Sequence, residues 1–457
     1  MHETLSVEWH GEAGGPLQHR PFLHLLLHCD RPLVPGARWA LEGLDQLELG
    51  RAAGDAVDRP GRLADQRVSS RHAVLRKASG GWEVEDLASK NGTFVNGRRV
   101  TREPLRDGDL LELGHSFLLF RDRCPAPSGL PRSTRARATA LAPGLGTLMP
   151  ALAERFAQLA KVAPTRIPIL VTGETGTGKE VVASAIHELS GRPGPFVAVN
   201  CGAIARNLAE SELFGYRKGA FSGALEDRAG LVRSSDGGTL FLDEFAELPA
   251  EARTTLLRVL QESEVLPVGG TRPVPVDLRL VVATHRDLEA MVAAGEFRAD
   301  LLARVGGFRL TLPPLRERRE DLGALVAELL IRHAPQRHDV ALRPDAARAL
   351  LHHDWPLNVR ELEKALATAL ALAAGGLIEL AHLPAEVVRG PLQTPAPPTP
   401  PPAPLTDQEQ EQKGRLVEAL QANQGNVTAA AQALGEYRTQ VHRWLKRYGI
   451  DPDQFRG

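Results

Sequence analysis

Three groups of residues in this 457-residue chain have types and spacing suited to chemistry: a lysine closing a glycine-rich run, two adjacent acids ending an apolar segment, and arginines set among hydroxyl and amide residues. The run Gly173-Glu174-Thr175-Gly176-Thr177-Gly178-Lys179 follows the apolar IPILV and precedes EVVASAIHELS. Glycines at such a place let backbone N–H groups curl around phosphate oxygens at a helix N-terminus, and Lys179 supplies charge to the outer phosphates. The strand before it and the helix after it separate this run from a chance glycine-rich turn, and ATP is the expected ligand. Glu180 follows the lysine where Ser or Thr usually offers a hydroxyl to magnesium, so Mg2+ must rely on other ligands and water. Asp243 and Glu244 end the apolar LFL. Two acids there are ordinarily a solvated turn, but below a phosphate loop the first can hold magnesium and the second can polarise an attacking water.

These groups need elements to position them. At roughly 150 residues per domain the length suggests about three domains. With 43% hydrophobic and 24% charged residues the chain has ordinary globular composition, which excludes collagen, coiled-coil rods and wholly disordered chains. Its net charge of −1 argues against a surface that is basic throughout, though not against a local basic element. Cys29, Cys124 and Cys201 stand far apart in no ligand spacing, so no disulfide framework or zinc site is expected and a reducing cytosol is. The most apolar stretch, Ala365 to Ala374, is about half a bilayer span, and the N-terminus lacks a signal-peptide pattern. A soluble cytoplasmic protein, with no membrane partner, is therefore expected.

Residues 391–405, PLQTPAPPTPPPAPL, predict an extended proline-rich linker, and 125–143 a second linker without apolar periodicity. Short alternating runs over 20–124 predict an all-β sandwich. Over 144–390, apolar strands alternating with helical stretches predict an α/β domain with a parallel sheet, divided into a core at 144–316 and a helical lid at 317–390. Residues 406–457 predict three short helices, so the fold class is multidomain.

Nearly all of 144–390 resembles the AAA+ domain of sigma-54-dependent transcriptional activators, the bacterial enhancer-binding proteins. The most specific piece is ELFGYRKGAFSGA, Glu212 to Ala224, which is similar to that family's GAFTGA loop with Ser222 in place of Thr. By itself it is a flexible turn with one aromatic tip. The resemblance implies that Gly219, Ala220, Phe221, Ser222, Gly223 and Ala224 touch sigma-54 when nucleotide is bound. In FRADLLARV it implies that Arg298 and Arg304 reach a neighbouring subunit's nucleotide, where a guanidinium fork suits a transferring phosphoryl group. That requires a ring, a hexamer in the family. WPLNVREL makes Arg360 the second nucleotide sensor, with Leu357 where Gly is usual, and Asn200 matches the asparagine that holds Glu244 until the ring is engaged. In ATHRDL, Thr284 fits the first sensor and His285 stands where Asn is usual. An imidazole donates to phosphate or water and changes charge near neutrality, so an extra pH dependence of hydrolysis between about 6 and 7 is expected.

Gly50-Arg51, Ser69-Ser70-Arg71-His72 and DLASKNGTFVNG, Asp86 to Gly97, resemble the forkhead-associated domain, which binds phosphothreonine peptides. Arg51 would offer a charge-assisted fork, Ser69 and Ser70 hydroxyls, and Arg71 further charge, with Asn91 fixing the peptide backbone and His72 bracing the loop. No receiver-like acidic cluster is evident, so the natural input is a phosphothreonine protein supplied by a Ser/Thr kinase; Thr134 and Thr139 are candidate internal targets.

GNVTAAAQALGEYRTQVHRWLKRYGI resembles the Fis-type helix-turn-helix. Asn426 and Thr428 are positioned to cap the first helix and Gly435 to allow the turn. Arg438, Thr439, Gln440, His442, Arg443 and Lys446 would meet double-stranded DNA upstream of promoters, while Val441 and Leu445 face the core. The leading expectation is a DNA-bound ring that hydrolyses ATP to remodel sigma-54 RNA polymerase, dimeric or hexameric, under phosphothreonine control. The alternative is a phosphopeptide-controlled AAA+ remodeller of another protein client, which would have no use for GAFSGA. A repressor with a dead ATPase is disfavoured by Lys179, Asp243, Glu244, Arg298 and Arg304.

Overall fold

A computed structural model describes residues 17–52, 59–136, 140–388, 407–423, 426–436, 440, 441, 444 and 455. The chain forms two compact units, Met1–Gly390 and Pro391–Gly457.

The first unit opens with two facing sheets. One runs in the order Ser133–Arg135, Ala37–Ala40, Gln18–His28, Ser116–Ala126, Leu110–Leu113, Thr93–Val95, Arg98–Val100, and the other Arg62–Leu63, Gln46–Arg51, Ala73–Ala78, Gly81–Asp86, Arg102–Pro104. Alternating side chains from both sheets, among them Leu23, Leu25, Trp39, Leu49, Leu75, Val84, Leu111 and Phe120, fill the space between them. The all-β expectation matches. Its edges move: the first strand begins at Gln18, and Ser133–Arg135, inside the expected linker, pairs antiparallel with Ala37–Trp39. Thr134 is therefore part of an edge strand, its hydroxyl accepting from Arg38 Nη2 at 3.3 Å, while Thr139 lies outside the described residues.

The second part is a parallel sheet in the order Phe196–Asn200, Thr239–Asp243, Arg279–Thr284, Ile169–Thr172, Phe308–Thr311. The middle strand Arg279–Thr284 is buried at every residue, as befits a parallel strand covered by helices on both faces. Register sets the chemistry. Asn200 lies opposite Asp243, and Thr172 opposite both Thr284 and Thr311, so the strand ends expected to act converge at one edge.

The lid carries helices Leu322–His333, Pro344–His352 and Asn358–Leu372, but it is not wholly helical: Ala341–Leu342 and Leu377–Ile378 form a short parallel ladder. Three separately cored blocks were expected, yet the lid and the sandwich share a core. Leu26, Leu27, Cys29, Phe117 and Leu119 of the sandwich pack with Leu322, Val326, Leu330, Leu350 and Leu366 of the lid. Leu342 N donates to Cys29 O at 2.8 Å, and Arg348 Nη2 to Glu112 Oε2 at 2.6 Å.

In the second unit, helices Asp407–Ala422 and Val427–Leu434 are described. Val441 is fully buried with Leu416, Leu420, Ala430 and Ala431, as its spacing implied. Among the described residues no helix is long and apolar enough to cross a membrane.

Candidate functional site

The phosphate loop leaves the strand Ile169–Thr172 and enters the helix Lys179–Ser190. Gly173, Gly176 and Gly178 all have positive φ, at 149°, 79° and 102°, the region where a side chain is strained. At Gly176 there is also no room, since a Cβ would lie 2.2 Å from Leu357 O. Lys179 is buried and its Nζ donates to the carbonyls of Gly173 and Glu174 at 3.0 and 3.2 Å. Burial lowers its pKa, while Glu244 and Asp243 oppose that shift. The remaining predicted loop residues divide by exposure: Thr177 is buried, its hydroxyl donating to Glu174 O at 2.8 Å, whereas Thr175 and Glu180 face outward.

Asp243 ends its strand and accepts the backbone N–H of Glu244 at 3.0 Å. Glu244 sits in the left-handed region at φ 51°, a costly place for a residue that carries a Cβ, and one that persists when its surroundings over-determine it. Its partner is not the expected one. His285 Nδ1 lies 2.6 Å from Glu244 Oε2, whereas Asn200 Oδ1 accepts from Gly202 N at 2.9 Å and caps the turn that follows its strand. Because an ionised carboxylate only accepts, Nδ1 carries the proton of this bond. Thr284, fully buried next door, accepts from Arg286 N at 3.0 Å.

The lid grips the loop through residues that motif reasoning passed over. Arg316 forks onto Glu174, with Nη1 to Oε2 at 2.9 Å and Nη2 to Oε1 at 2.5 Å, and this bond lowers the Glu174 pKa. Asn358, fully buried at φ 58°, donates to Glu174 Oε2 and Thr175 O at 3.1 and 3.0 Å and accepts from Leu315 N at 2.7 Å. Arg318 Nη2 donates to Thr177 O at 2.6 Å. The signal for the two arginines was the charged run PLRERRED, Pro314 to Asp321, soon after the strand Phe308–Thr311, and Asn358 stood within WPLNVREL. Arg360 projects from the same lid turn, its Cβ 3.2 Å from where a Gly176 Cβ would be.

Arg298 and Arg304 make their hydrogen bonds outside this chain's own loop. Arg298 forks onto Asp300 at 3.0 and 2.6 Å, and Arg304 Nη2 donates to Leu260 O at 2.6 Å. The Glu212–Ala224 loop is closed at its base by Asp227, which accepts from Lys218 N at 2.8 Å and from Arg217. At its tip Phe221 is 41% exposed while its ring meets Tyr216 edge-on at 4.9 Å, and Gly219 N donates to Ala224 O at 2.9 Å.

On the sandwich, Arg51 ends its strand exposed, with its N–H on Ser69 O at 2.9 Å. His72 is fully buried, accepting from Ser69 N at 3.1 Å through Nδ1 and facing Gly92 O at 3.1 Å through Nε2, so it braces the two loops. Ser69 Oγ accepts from Lys90 N at 3.1 Å, and Asn91 Nδ2 donates to Arg67 O at 2.6 Å. Ser70 is exposed beside them, its carbonyl accepting from Arg62 Nη1 at 3.1 Å. Arg71 is exposed but paired with Glu48 at 3.0 Å. Arg62 is a cation of this cluster that motif spacing did not reveal.

In the C-terminal unit Asn426 Oδ1 caps its helix through Thr428 N and Ala429 N at 3.1 and 3.2 Å, and Gly435 closes it at φ 72°. Gln440 is half-buried; Arg438, Thr439, His442, Arg443, Leu445 and Lys446 lie outside the described residues. The three cysteines are free and buried, and burial pushes the Cys124 and Cys201 thiols up to about 12.

Residues 146–311 match the sigma-54 interaction domain, 47–114 the FHA domain, 316–399 the AAA+ ATPase lid domain and 408–448 the Fis family of bacterial regulatory proteins. The response regulator protein PilR of Pseudomonas aeruginosa is 44% identical over 395 residues, covering 84% of this chain and 85% of that one. The acetoin catabolism regulatory protein of Cupriavidus necator is 45% identical over 431 residues, and the match covers 86% of this chain but 62% of its relative. A solved structure of NtrX from Brucella abortus in complex with ATP shares 34% identity over 68% of this chain and 70% of that chain, with a TM-score of 0.48.

Proposed function

The chain belongs to the sigma-54-dependent transcriptional regulators, AAA+ ATPases joined here to a forkhead-associated domain and a Fis-type helix-turn-helix, and from that premise we propose that it remodels sigma-54 RNA polymerase at the expense of ATP under phosphothreonine control. The observation that carries this is the meeting of Lys179, Asp243, Glu244 and Thr284 at one sheet edge, in the same domain as an exposed Phe221 loop. Positive-φ glycines at the start of a twelve-residue helix suit phosphate oxygens, with the Lys179 ammonium on the outer ones. The hard carboxylate oxygens of Asp243 fit Mg2+, which when bound neutralises charge on the phosphates. Glu244 takes the proton of the attacking water, and His285 sets where its carboxylate points. Arg298 and Arg304, hydrogen-bonded outside their own nucleotide loop, serve the neighbouring subunit of a ring. Arg51, Ser69, Ser70, Arg71 and Asn91 form the phosphothreonine site, and the C-terminal unit docks on DNA upstream of the promoter in the cytoplasm.

Open-complex formation with purified sigma-54 polymerase and ATP tests this. Wild type should open the promoter and deletion of Gly219 to Ala224 should not; a wild-type chain that opens nothing sinks it.

A further inference from the structure

Glu320 and Asp321 are consecutive, 1% and 2% exposed, and the sandwich holds the first directly and the second through Leu148. Glu320 Oε1 accepts from Arg121 Nη1 at 2.6 Å, and Arg121, on the strand Ser116–Ala126, is anchored in turn by Asp107 at 3.0 Å. Asp321 accepts from Thr147 Oγ1 at 2.8 Å and Leu148 N at 2.6 Å. The carbonyl of the same Leu148 accepts from Arg38 Nη1 at 2.9 Å, and Arg38 is buried on the strand Ala37–Ala40. On the other side of this segment Arg318 reaches Thr177 O and Arg316 forks onto Glu174, both in the phosphate loop. Residues 315–321 form two short 3-10 turns, so little slack separates the two grips.

Burying a carboxylate is expensive unless its partners are exact in position, and a buried acid therefore sits where its arginine and its donors hold it. We propose that Arg121 and Arg38 are positioning residues for nucleotide binding: by fixing Glu320 and Asp321 they set Arg318 and the phosphate loop, so the seat of the sensor sandwich on the lid governs nucleotide affinity. The proposal rests on the nucleotide reading of that loop. It makes the sandwich part of the ATP site without touching ATP.

The test uses the full chain and titration with ADP. Arg121→Met alone leaves Glu320 buried without its cation and can disturb folding, so the deciding variant is Arg121→Met with Glu320→Gln, which removes both charges. ADP should bind about five- to tenfold more weakly, the lower end of ordinary coupling between sites. KM for ATP should rise by a similar factor with kcat within about twofold, because Lys179, Asp243 and Glu244 are untouched, and Arg121→Lys should recover part of the loss. A double variant that melts like wild type and binds ADP with wild-type affinity overturns the proposal. No ADP binding by wild type would instead overturn the nucleotide reading beneath it.

Discussion

Replacing Gly323 by Ala sets two known effects against each other. Gly323 is buried in the lid helix Leu322–His333, where Gly→Ala in an unobstructed position stabilises by about 0.8–1.0 kcal/mol through helix propensity. Here a Cβ would lie 1.6 Å from Leu26 O and 2.5 Å from Leu26 C, where ordinary contact begins at 3.4 Å. The neighbour is main chain, at an irregularity held between the paired residues Leu25 and Leu27, so it cannot swing away as a side chain would. The helix and sandwich must part by almost the whole deficit. Overpacking of a smaller kind costs about 1–3 kcal/mol, and this overlap lies at the upper end, leaving a net loss of about 1–2 kcal/mol. The reporter is the Leu342 N–H, which donates to Cys29 O across the same seam at 2.8 Å. Its hydrogen exchange should quicken by roughly five- to thirtyfold. An exchange rate that is unchanged or slower, with stability raised by about 1 kcal/mol, would falsify the close seating of sandwich on lid.

His285→Asn should keep a donor to Glu244 and His285→Ala should remove it, so ATP hydrolysis should stay near wild type in the first and fall by about tenfold in the second; equal rates from both variants exclude that role. Arg51→Ala should weaken binding of a phosphothreonine peptide by at least about tenfold, the worth of a charge-assisted fork, and leave binding of the unphosphorylated peptide as it was. Equal binding of the two peptides by wild type removes the phosphate-reading role. In the C-terminal unit, Lys446→Ala should weaken DNA binding alike across sequences and lower the salt slope by about 1, whereas Arg438→Ala should relax specificity at one base position by about 1–3 kcal/mol. Identical salt slopes and identical specificities would assign neither residue to DNA.

The glycine-rich loop before Lys179, the acids that end the strand Thr239–Asp243 and the sandwich loops at Ser69–His72 and Asp86–Gly97 were legible as local structure, because each is a short stretch of sequence with its own turn chemistry. Contacts made by register were not. His285 and Glu244 are 41 positions apart and meet only because Thr239–Leu242 pairs with Arg279–Val282. The shared core of sandwich and lid had a signal that was readable in principle. HLLLH, His24 to His28, is buried at all five residues, and three adjacent leucines break the alternation expected of a strand covered on one face only. Its second cover, the lid, lies some 300 residues away, and no periodicity names a partner at that distance. Arg316 and Glu174 look like surface charges in sequence, since only the fold brings them within a fork.

Three positions depart from the family motifs, and the structure gives each a different weight. Leu357 replaces glycine in the lid turn, but its φ of −102° needs no glycine. The left-handed residues there are Trp355 and Asn358, and the demand for a missing side chain falls across the contact on Gly176. Ser222 lies exposed in a loop whose base is fixed by Asp227 and whose turns come from Gly219 and Gly223, so exchanging Thr for Ser leaves the frame and removes one methyl from any docking surface, about 0.8 kcal/mol if that methyl is buried. His285 is the substantive change. Its Nδ1 stands as many bonds from the backbone as the amide nitrogen of asparagine, so the ring reaches Glu244 where an asparagine would. In the mechanism proposed above Glu244 accepts the proton of the attacking water, and a bond of 2.6 Å to its carboxylate makes it less free to do so while the bond lasts. In the mechanism we propose, hydrolysis includes breaking that bond, and the residue that lets go of Glu244 is His285, with Asn200 capping its own turn.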